Sequence, residues 1–383
     1  MLKKIIKYLI FIFFLVIPFN YEFKFVGAWV TVSDLIGATC LALWFYLIAS
    51  GKNSFQNLPL IVPITAILAM FVISTAFSIS VSISIKETLK YIFIFLLFYM
   101  LVNNIDGKFI RLIYYVATLC AVIVSVWFLY DYATGKVEIA GVRTWHRILP
   151  TYTQLNALGS YLATMLPVSL LPIFEGGVKN PRKTVAAGLS AVLILIALVL
   201  TYSRASWFAA AAVLTLLGAL RYRLKGVTTI VGCLIGVLIF IFALTGAQHL
   251  KQRFLSTFDM SEGSIMHRRE YARAANQLIK KRPLTGVGPG NFALATEKFG
   301  ERQLPIYYDD TPHNIFLQFA CETGIISAVL LFLVIVFYFR DAYRVYFSPR
   351  TDISLKFLVL CTALGLLALM ITGLFGDPFV RNT

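Results

Sequence analysis

Long apolar runs alternate with short polar segments along most of the 383-residue chain. The runs have roughly 17 to 25 residues, which is enough for a helix to cross a bilayer, and they lack the strict alternation of a transmembrane barrel. By apolar length, the spans fall near residues 5–19, 30–50, 59–78, 86–102, 110–130, 152–174, 184–201, 205–220, 227–246, 314–339 and 354–375. The pattern therefore predicts an all-α fold, a polytopic transmembrane helical bundle of about 11–12 spans.

The longest polar interruption is the loop of residues 248–313. It divides the chain into a transmembrane bundle, residues 1–247, the loop itself, and C-terminal transmembrane spans, residues 314–383. We predict that the loop contains amphipathic helices. The clearest of them covers Ser264 to Lys281 and ends before Pro283.

The predicted loop helix separates its cations between two faces. Arg268 falls at helical spacing on the apolar stripe, which is formed by Ile265, Tyr271, Ala275, Leu278 and Ile279. Arg269, Arg273 and Lys280 fall on the opposite side. A solvated basic face explains those three cations, although Arg269 stays a candidate substrate contact, whereas Arg268 is expected to face a ligand.

Short basic loops indicate which ends of the spans lie in the cytoplasm. With an uncleaved first helix and the N-terminus inside, the cytoplasmic segments carry Lys52, Lys108, Arg111, Lys179, Arg182, Lys183, Arg221, Arg223, Lys225, Arg340, Arg344 and Arg350. The alternation then places Arg143, Arg147, Arg204 and the loop of residues 248–313 on the outer face. Topology does not require arginines there, so they are candidates for binding an anion.

Composition supports a membrane protein, because 59% of the residues are hydrophobic and only 14% are charged. The net charge of +16 suggests anionic partners. The charge is spread over the segments between spans, so the phosphates of membrane lipids are favoured over nucleic acid. The five cysteines fall inside apolar runs and are interpreted as packing residues.

Arg204 lies in the sequence TYSRASW, between two apolar runs near the membrane interface. A charge at this depth costs free energy unless it faces a cavity or a partner. The neighbouring Ser203 and Ser206 favour a polar pocket, and an arginine that reaches towards lipid head groups is the alternative. In an earlier outer loop, Arg143 and Arg147 either extend an anion site or are ordinary loop charges, and the pattern leaves both open.

His313 and Asn314 form the sharpest chemical feature, at the outer mouth of a predicted span. Neutral imidazole is well suited to take a proton from a hydroxyl near neutral pH. A histidine that caps the helix or meets head groups is the alternative. A metal role is disfavoured because no ligand-type side chain follows one turn later, although Asp309 and Asp310 precede it.

The glycine-rich run Pro283–Asn291 lies between the loop helix and His313. Such a run can cradle a phosphate, but this one lacks the lysine and the strand-to-helix context of a nucleotide loop. We predict a compact turn that returns the chain to the membrane.

These segments together resemble the O-antigen ligase and O-antigen polymerase superfamily of bacterial inner-membrane glycosyltransferases. The resemblance rests on TYSRASW, the large outer loop, KRPLTGVGPGNF and HNIFLQFACETGIIS. The segment RILPTYTQLNALGSYL resembles an earlier family segment, in which Arg147 and Asn156 are the matched positions. The resemblance extends over residues 141–326.

The resemblance implies catalytic roles for three residues. Arg204 and Arg268 match arginines thought to hold the pyrophosphate of a polyprenyl-linked glycan, and His313 matches a histidine thought to activate the acceptor hydroxyl. Further candidate substrate contacts are Arg143, Arg147, Asn156, Arg269 and Asn314. Two features depart from the family, because its usual loop aromatic falls on Ala272, beside Tyr271, and because its members usually have another span after this C-terminus.

The resemblance implies an O-antigen ligase, a glycosyltransferase of the GT-C type. It would transfer a glycan from undecaprenyl pyrophosphate to the lipid A-core oligosaccharide, with inversion and with no metal or other cofactor. The site would face the periplasm from the bacterial inner membrane. The alternatives are an O-antigen polymerase or a protein O-oligosaccharyltransferase that uses the same donor. A lipid or solute transporter is disfavoured, because the mid-span regions are nearly free of charge.

Overall fold

The computed structural model describes residues 2–19, 22–25, 28–53, 55, 58, 60–135, 155–176, 181–245, 263–299 and 311–376. Within these ranges the chain is almost entirely helical. The helices are α1 Leu2–Val16, α2 Val32–Ala49, α3 Ile61–Ala76, α4 Val81–Asn104, α5 Gly107–Ala133, α6 Leu155–Ser169, α7 Leu171–Gly176, α8 Pro181–Leu200, α9 Arg204–Thr245, α10 Gly263–Lys281, α11 Phe292–Phe299, α12 Ile315–Thr323, α13 Ile325–Phe347 and α14 Ile353–Phe375.

The all-α, polytopic membrane fold is confirmed. Among the described residues, six helical segments are long and apolar enough to cross a membrane: Val32–Ala49, Gly107–Ala133, Leu155–Phe174, Pro181–Leu200, Ile325–Phe347 and Ile353–Phe375. The structure adds a short antiparallel hairpin, β1 Glu22–Phe25 and β2 Ala28–Thr31, in which Phe23 pairs with Val30. This hairpin, which leads directly into α2, was not predicted from the apolar pattern.

The chain folds into two compact units. The first unit consists of Met1–Gln56, Leu97–Leu250 and Tyr346–Leu369. The second consists of Asn57–Leu96, Lys251–Val345 and Met370–Thr383.

Within the first unit, contacts join helix ends that the basic segments predict to lie on the same side of the membrane. At one end, Lys7 of α1 forms an ion pair with Asp106, which caps α5. At the predicted outer end, the hydroxyl groups of Tyr132 and Tyr202 are 3.0 Å apart. Burial raises the pKa of the Tyr202 phenol above its ordinary value, so this group stays protonated at neutral pH.

The structure differs from the prediction at residues 205–246, where two spans were expected. It has one helix of 42 residues, Arg204–Thr245, which is about 63 Å long and so about twice the hydrocarbon thickness of a bilayer. The division predicted at Arg221–Lys225 is therefore wrong as a helix boundary. The physical reason is that this basic segment contains no proline and is rich in Arg, Leu and Lys, which are good helix formers.

Arg221 nevertheless lies about 26 Å from Arg204 along the helix axis, slightly less than the hydrocarbon thickness of a bilayer. Its guanidinium carbon is 5.2 Å from the centroid of the Phe357 ring at the start of α14, and Phe357 stacks on Phe174. These residues all lie next to segments predicted to be cytoplasmic. The side of the membrane on which residues 248–313 lie stays a prediction.

A second difference concerns the predicted span at residues 314–339. The structure divides it at Gly324 into the short helix α12 and the longer helix α13, which continues to Phe347. Arg340 and Arg344, predicted to lie in a cytoplasmic loop, therefore belong to the last turns of α13. An apolar pattern does not reveal such a division, because both halves are apolar.

Candidate functional site

The loop helix α10 has the two faces that its sequence predicts. Tyr271, Ala275 and Leu278 are buried, together with Ala274. They pack in one cluster with residues of the glycine turn, α11 and α12: Val287, Phe292, Ala295 and Cys321. The helix is therefore held by apolar burial against neighbouring elements rather than by its own propensity.

Burial separates the cations of α10 as predicted. Arg268 is half-buried on the side of the apolar stripe, while Arg269, Arg273 and Lys280 are exposed. Since residues three apart on a helix are neighbours, Arg268 lies one turn before the buried Tyr271. Of these four cations, Arg268 is the one placed beside the packed face, and the side chain of Ile265 lies outside the described residues.

His313 packs against the same helix. Its ring is 5.2 Å from the ring of Tyr271, in an edge-on arrangement, and the side chain is half-buried. The backbone of His313 has a φ of 53°, in the left-handed region that non-glycine residues seldom adopt. Tyr271 thus links the two predicted catalytic groups of the second unit, since it contacts His313 and lies one turn from Arg268.

Asn314, and not His313, caps the helix that follows. The side-chain oxygen of Asn314 accepts hydrogen bonds from the backbone N–H groups of Phe316 and Leu317, at 3.0 and 3.1 Å. Its amide nitrogen donates to the carbonyl of Leu374, at 3.1 Å. Asn314 therefore fixes the start of α12 immediately after the imidazole, which is a positioning role. Its contact with substrate stays a prediction.

The glycine-rich run forms the predicted compact turn, and it is docked against the end of α12. The N–H groups of Val287 and Gly288 both donate to α12 carbonyls at 2.9 Å, those of Cys321 and Glu322. The last carbonyls of a helix have no partner within the helix. The turn supplies those partners, so these carbonyls are not left unpaired where α12 ends at Gly324, next to a membrane.

The same turn is also bonded to the connection between α3 and α4 and to the first turn of α4. The N–H of Ile79 donates to the carbonyl of Val287 at 3.0 Å, and the hydroxyl of Ser84 donates to the carbonyl of Pro289 at 3.1 Å. The buried amide of Asn291 donates to the Ser84 hydroxyl at 2.7 Å. The turn thus joins three segments of the second unit that lie far apart in the sequence.

In the first unit, Arg204 is the first residue of α9 and is half-buried. The indole N–H of Trp207 donates to the carbonyl of Val199 at 3.1 Å, so it satisfies the end of α8. The hydroxyl of Ser206 donates to that of Ser203 at 2.9 Å. The motif TYSRASW therefore builds a tight polar turn that holds Arg204 at the helix start.

Helix α6 packs closely on this turn through Gly159. A Cβ atom at Gly159 would lie 2.7 Å from the Ser206 hydroxyl and 3.0 Å from Cβ of Ser203. Only a glycine allows this approach. Asn156 lies one turn earlier on α6 and is exposed, so the structure brings Asn156 and Arg204 to the same end of the first unit.

The predicted site residues thus form two groups. Arg204 and Asn156 belong to the first unit, and Arg268, Arg269, His313 and Asn314 belong to the second. Arg143 and Arg147 lie outside the described residues.

Residues 189–332 match a family model described as O-Antigen ligase. The matched segment begins in α8, includes Arg204, Arg268 and His313, and ends in α13. This segment therefore carries an O-antigen ligase domain, and the match supports the O-antigen ligase superfamily. No curated protein shows significant sequence similarity to it.

The match to the O-antigen ligase model supports a function at a coarse level. The six apolar helices support a membrane protein, and the matched segment supports the function of the O-antigen ligase and polymerase family, a glycosyltransferase-like activity. A polyprenyl-linked glycan and a lipid acceptor are the partners that the superfamily implies in general.

Two residues near the site were not singled out from their sequence pattern. Tyr271 was assigned only to the apolar face, although its ring also contacts His313. Glu322 was not singled out, although it is only 3% exposed and its carbonyl accepts hydrogen bonds from Ser74 and Gly288. The signal for Glu322 was available, because an acidic residue within an apolar membrane-proximal helix is rare without a specific environment.

The substitution Gly286→Ala is expected to destabilise the second unit. Gly286 has a φ of +66°, and a Cβ atom there would lie 2.3 Å from the carbonyl oxygen of Glu322. The strained φ and the clash with backbone together should cost about 2–4 kcal/mol. The unfolding midpoint of the purified protein in an SDS titration measures this cost.

The matched control is Gly188→Ala, because a Cβ atom at Gly188 meets no atom within 4 Å. This control should leave the midpoint unchanged or raise it slightly, since alanine favours the helix. Equal midpoints for both variants would show that the turn does not require glycine at position 286.

Proposed function

We propose that the protein is an O-antigen ligase. It transfers a glycan from undecaprenyl pyrophosphate to a sugar hydroxyl of the lipid A-core oligosaccharide, on the periplasmic face of the bacterial inner membrane. The single observation that carries this proposal is that His313 packs against Tyr271, which lies one helical turn after Arg268, within the segment that matches the O-antigen ligase model. A base and an anion-binding group next to one helical turn fit glycosyl transfer from a pyrophosphate donor.

The proposed reaction is a single displacement at the anomeric carbon. Neutral His313 takes the proton of the acceptor hydroxyl while that oxygen forms the new glycosidic bond. The bond from the anomeric carbon to the pyrophosphate oxygen breaks, and the electron pair leaves with undecaprenyl pyrophosphate. Because the hydroxyl attacks from the side opposite the leaving group, the configuration of the anomeric centre is inverted.

Arg268 and Arg204 are proposed to bind the pyrophosphate. A guanidinium group pairs with two phosphate oxygens at once, and such pairing strengthens as charge builds up on the leaving group. Arg143, Arg147, Asn156, Arg269 and Asn314 are proposed as further contacts with donor or acceptor. The donor is already activated, so the proposed reaction, of the GT-C type, uses no nucleotide, metal or other cofactor.

Deletion of the gene separates this proposal from its two nearest alternatives. Loss of all capped core on a lipopolysaccharide gel is expected for a ligase. Core that still bears a single repeat would instead indicate an O-antigen polymerase, which joins one lipid-linked repeat to another. Loss of glycan from a pilin or similar protein would indicate a protein O-oligosaccharyltransferase, and either result would contradict the ligase proposal.

A further inference from the structure

Three cations surround one aromatic ring at the far end of the loop helix α10. The Nζ atoms of Lys281 and Lys298 each lie 5.7 Å from the centroid of the Phe299 ring, and the Cζ atom of Arg282 lies 5.9 Å from it. Cation–π attraction favours each of these contacts. The three positive charges are therefore held within one small area of the second unit.

Two of the three cations are also fixed by hydrogen bonds to backbone. Lys281 Nζ donates to the carbonyl of Phe299 at 2.7 Å, and Arg282 Nη1 donates to the carbonyl of Phe77 at 2.7 Å. Phe299 is the last residue of α11, and Phe77 is the C-cap of α3. Each cation therefore lies against the negative end of a helix dipole, which sets its position.

Two large apolar side chains lie beside these cations and face outwards. Phe77 is 60% exposed and Leu284 is 64% exposed. Phe77 ends the apolar helix α3 and is bonded to Arg282, and Leu284 follows Arg282 by two positions. Burial of these side chains against a neighbouring apolar phase would be favourable. We call the surface formed by Phe77, Lys281, Arg282, Leu284 and Lys298 the interfacial patch.

The interfacial patch carries three positive charges. Within the part of the chain that the structure describes, no carboxylate lies within 4 Å of Lys281, Arg282 or Lys298. Exposed apolar groups next to cations match the boundary between acyl chains and head groups, where apolar side chains enter the acyl region and cations meet phosphates. The chemistry of the patch thus complements an anionic lipid surface.

We propose that the interfacial patch binds the phosphate head groups of anionic phospholipids, such as phosphatidylglycerol, in the adjacent membrane leaflet. Phe77 and Leu284 enter the acyl boundary, and the three cations neutralise the lipid phosphates. The patch anchors this end of α10 and the adjoining glycine turn to the membrane surface. The anchor does not depend on which glycan is transferred or on which acceptor receives it.

The test uses the full chain with the change Leu284→Cys, labelled with bimane and reconstituted in nanodiscs. The described native cysteines Cys40, Cys120, Cys321 and Cys361 are buried. Either phosphatidylglycerol or phosphatidylcholine carries a nitroxide near its head group, and quenching reports which lipid lies against the patch. We expect phosphatidylglycerol to quench several-fold more strongly at equal mole fraction.

A charge-deleted variant assigns this preference to the patch. The triple change Lys281→Gln, Arg282→Gln and Lys298→Gln should abolish the preference, so that both lipids quench equally. The matched control removes three positive charges from the exposed face of α10 instead. Its three changes are Arg269→Gln, Arg273→Gln and Lys280→Gln, and it should retain the preference.

Three results would overturn the proposal. One is equal quenching by the two lipids when the three cations are intact. Another is the same loss of preference in both triple variants, which would mean that overall charge, and not this patch, attracts the lipid. The third is displacement of phosphatidylglycerol by farnesyl pyrophosphate at low mole fraction, which would assign the patch to a lipid pyrophosphate.

Discussion

The variant His313→Asn should lose about 10²- to 10⁴-fold in kcat, the range that a positioned general base contributes. Asparagine is the informative replacement because it adopts left-handed backbone readily, and His313 has a φ of 53°. The change therefore removes the imidazole base with little added strain in the turn. Ligated lipopolysaccharide on a gel, at matched protein levels, provides the measurement in cells.

His267→Asn is the matched control for this prediction. His267 lies on the same loop helix, and its side chain is 52% exposed. Its Nδ1 atom lies 3.9 Å from Oε2 of Glu270. The control should retain normal ligation. If His313→Asn also ligated normally at normal protein levels, His313 would not be the base.

The variant Arg268→Ala should lose about 10²- to 10³-fold in kcat/KM, as expected when one group that stabilises developing charge is removed. Arg268→Lys keeps the charge but loses the planar, two-pronged donor, so it should restore only part of the loss. This order, with arginine above lysine above alanine, distinguishes pyrophosphate binding from a general need for positive charge. Turnover of the purified protein on a lipid-pyrophosphate glycan measures it.

Arg273→Ala provides the comparison for Arg268. It removes one charge from the same helix, on the exposed side, and it should leave kcat/KM nearly unchanged. Equal losses for the Arg268 and Arg273 variants would contradict a specific role for Arg268, because they would show only a general electrostatic effect of the loop.

The faces of the loop helix could be predicted from sequence because they depend on local periodicity alone. Tyr271, Ala275 and Leu278 recur at helical spacing, and the structure buries all three. The half-burial of Arg268 follows from the same spacing. The compact turn of Pro283–Asn291 was likewise predicted from its glycines, which have positive φ angles at three positions.

The docking of that turn could not be predicted, because its partners lie far away in the sequence. Ser84 and Pro289 are bonded across 205 positions, as are Phe77 and Arg282. No local pattern reports which distant segment satisfies a backbone group. The contact between Tyr271 and His313 was missed for the same reason, since it depends on how α10 packs against the start of α12.

Helix boundaries inside membrane segments were also poorly determined by hydropathy. The basic segment Arg221–Lys225 suggested a loop, yet its residue types favour a helix, and the structure continues α9 through it. Conversely, the apolar run after His313 suggested one span, yet Gly324 divides it. Hydropathy reports the preferred surroundings of a segment, whereas backbone conformation depends on propensity and on available hydrogen-bond partners.

The most direct test of the account is turnover of a polyprenyl-pyrophosphate glycan by the purified protein, followed with and without core lipid and with a chelator. The proposed mechanism predicts that donor is consumed when core lipid is present, that the new linkage is inverted, and that the chelator leaves the rate unchanged. His313→Asn should abolish this consumption. Donor that stays intact with core lipid present, or an absolute requirement for a chelatable metal, would contradict the proposed mechanism.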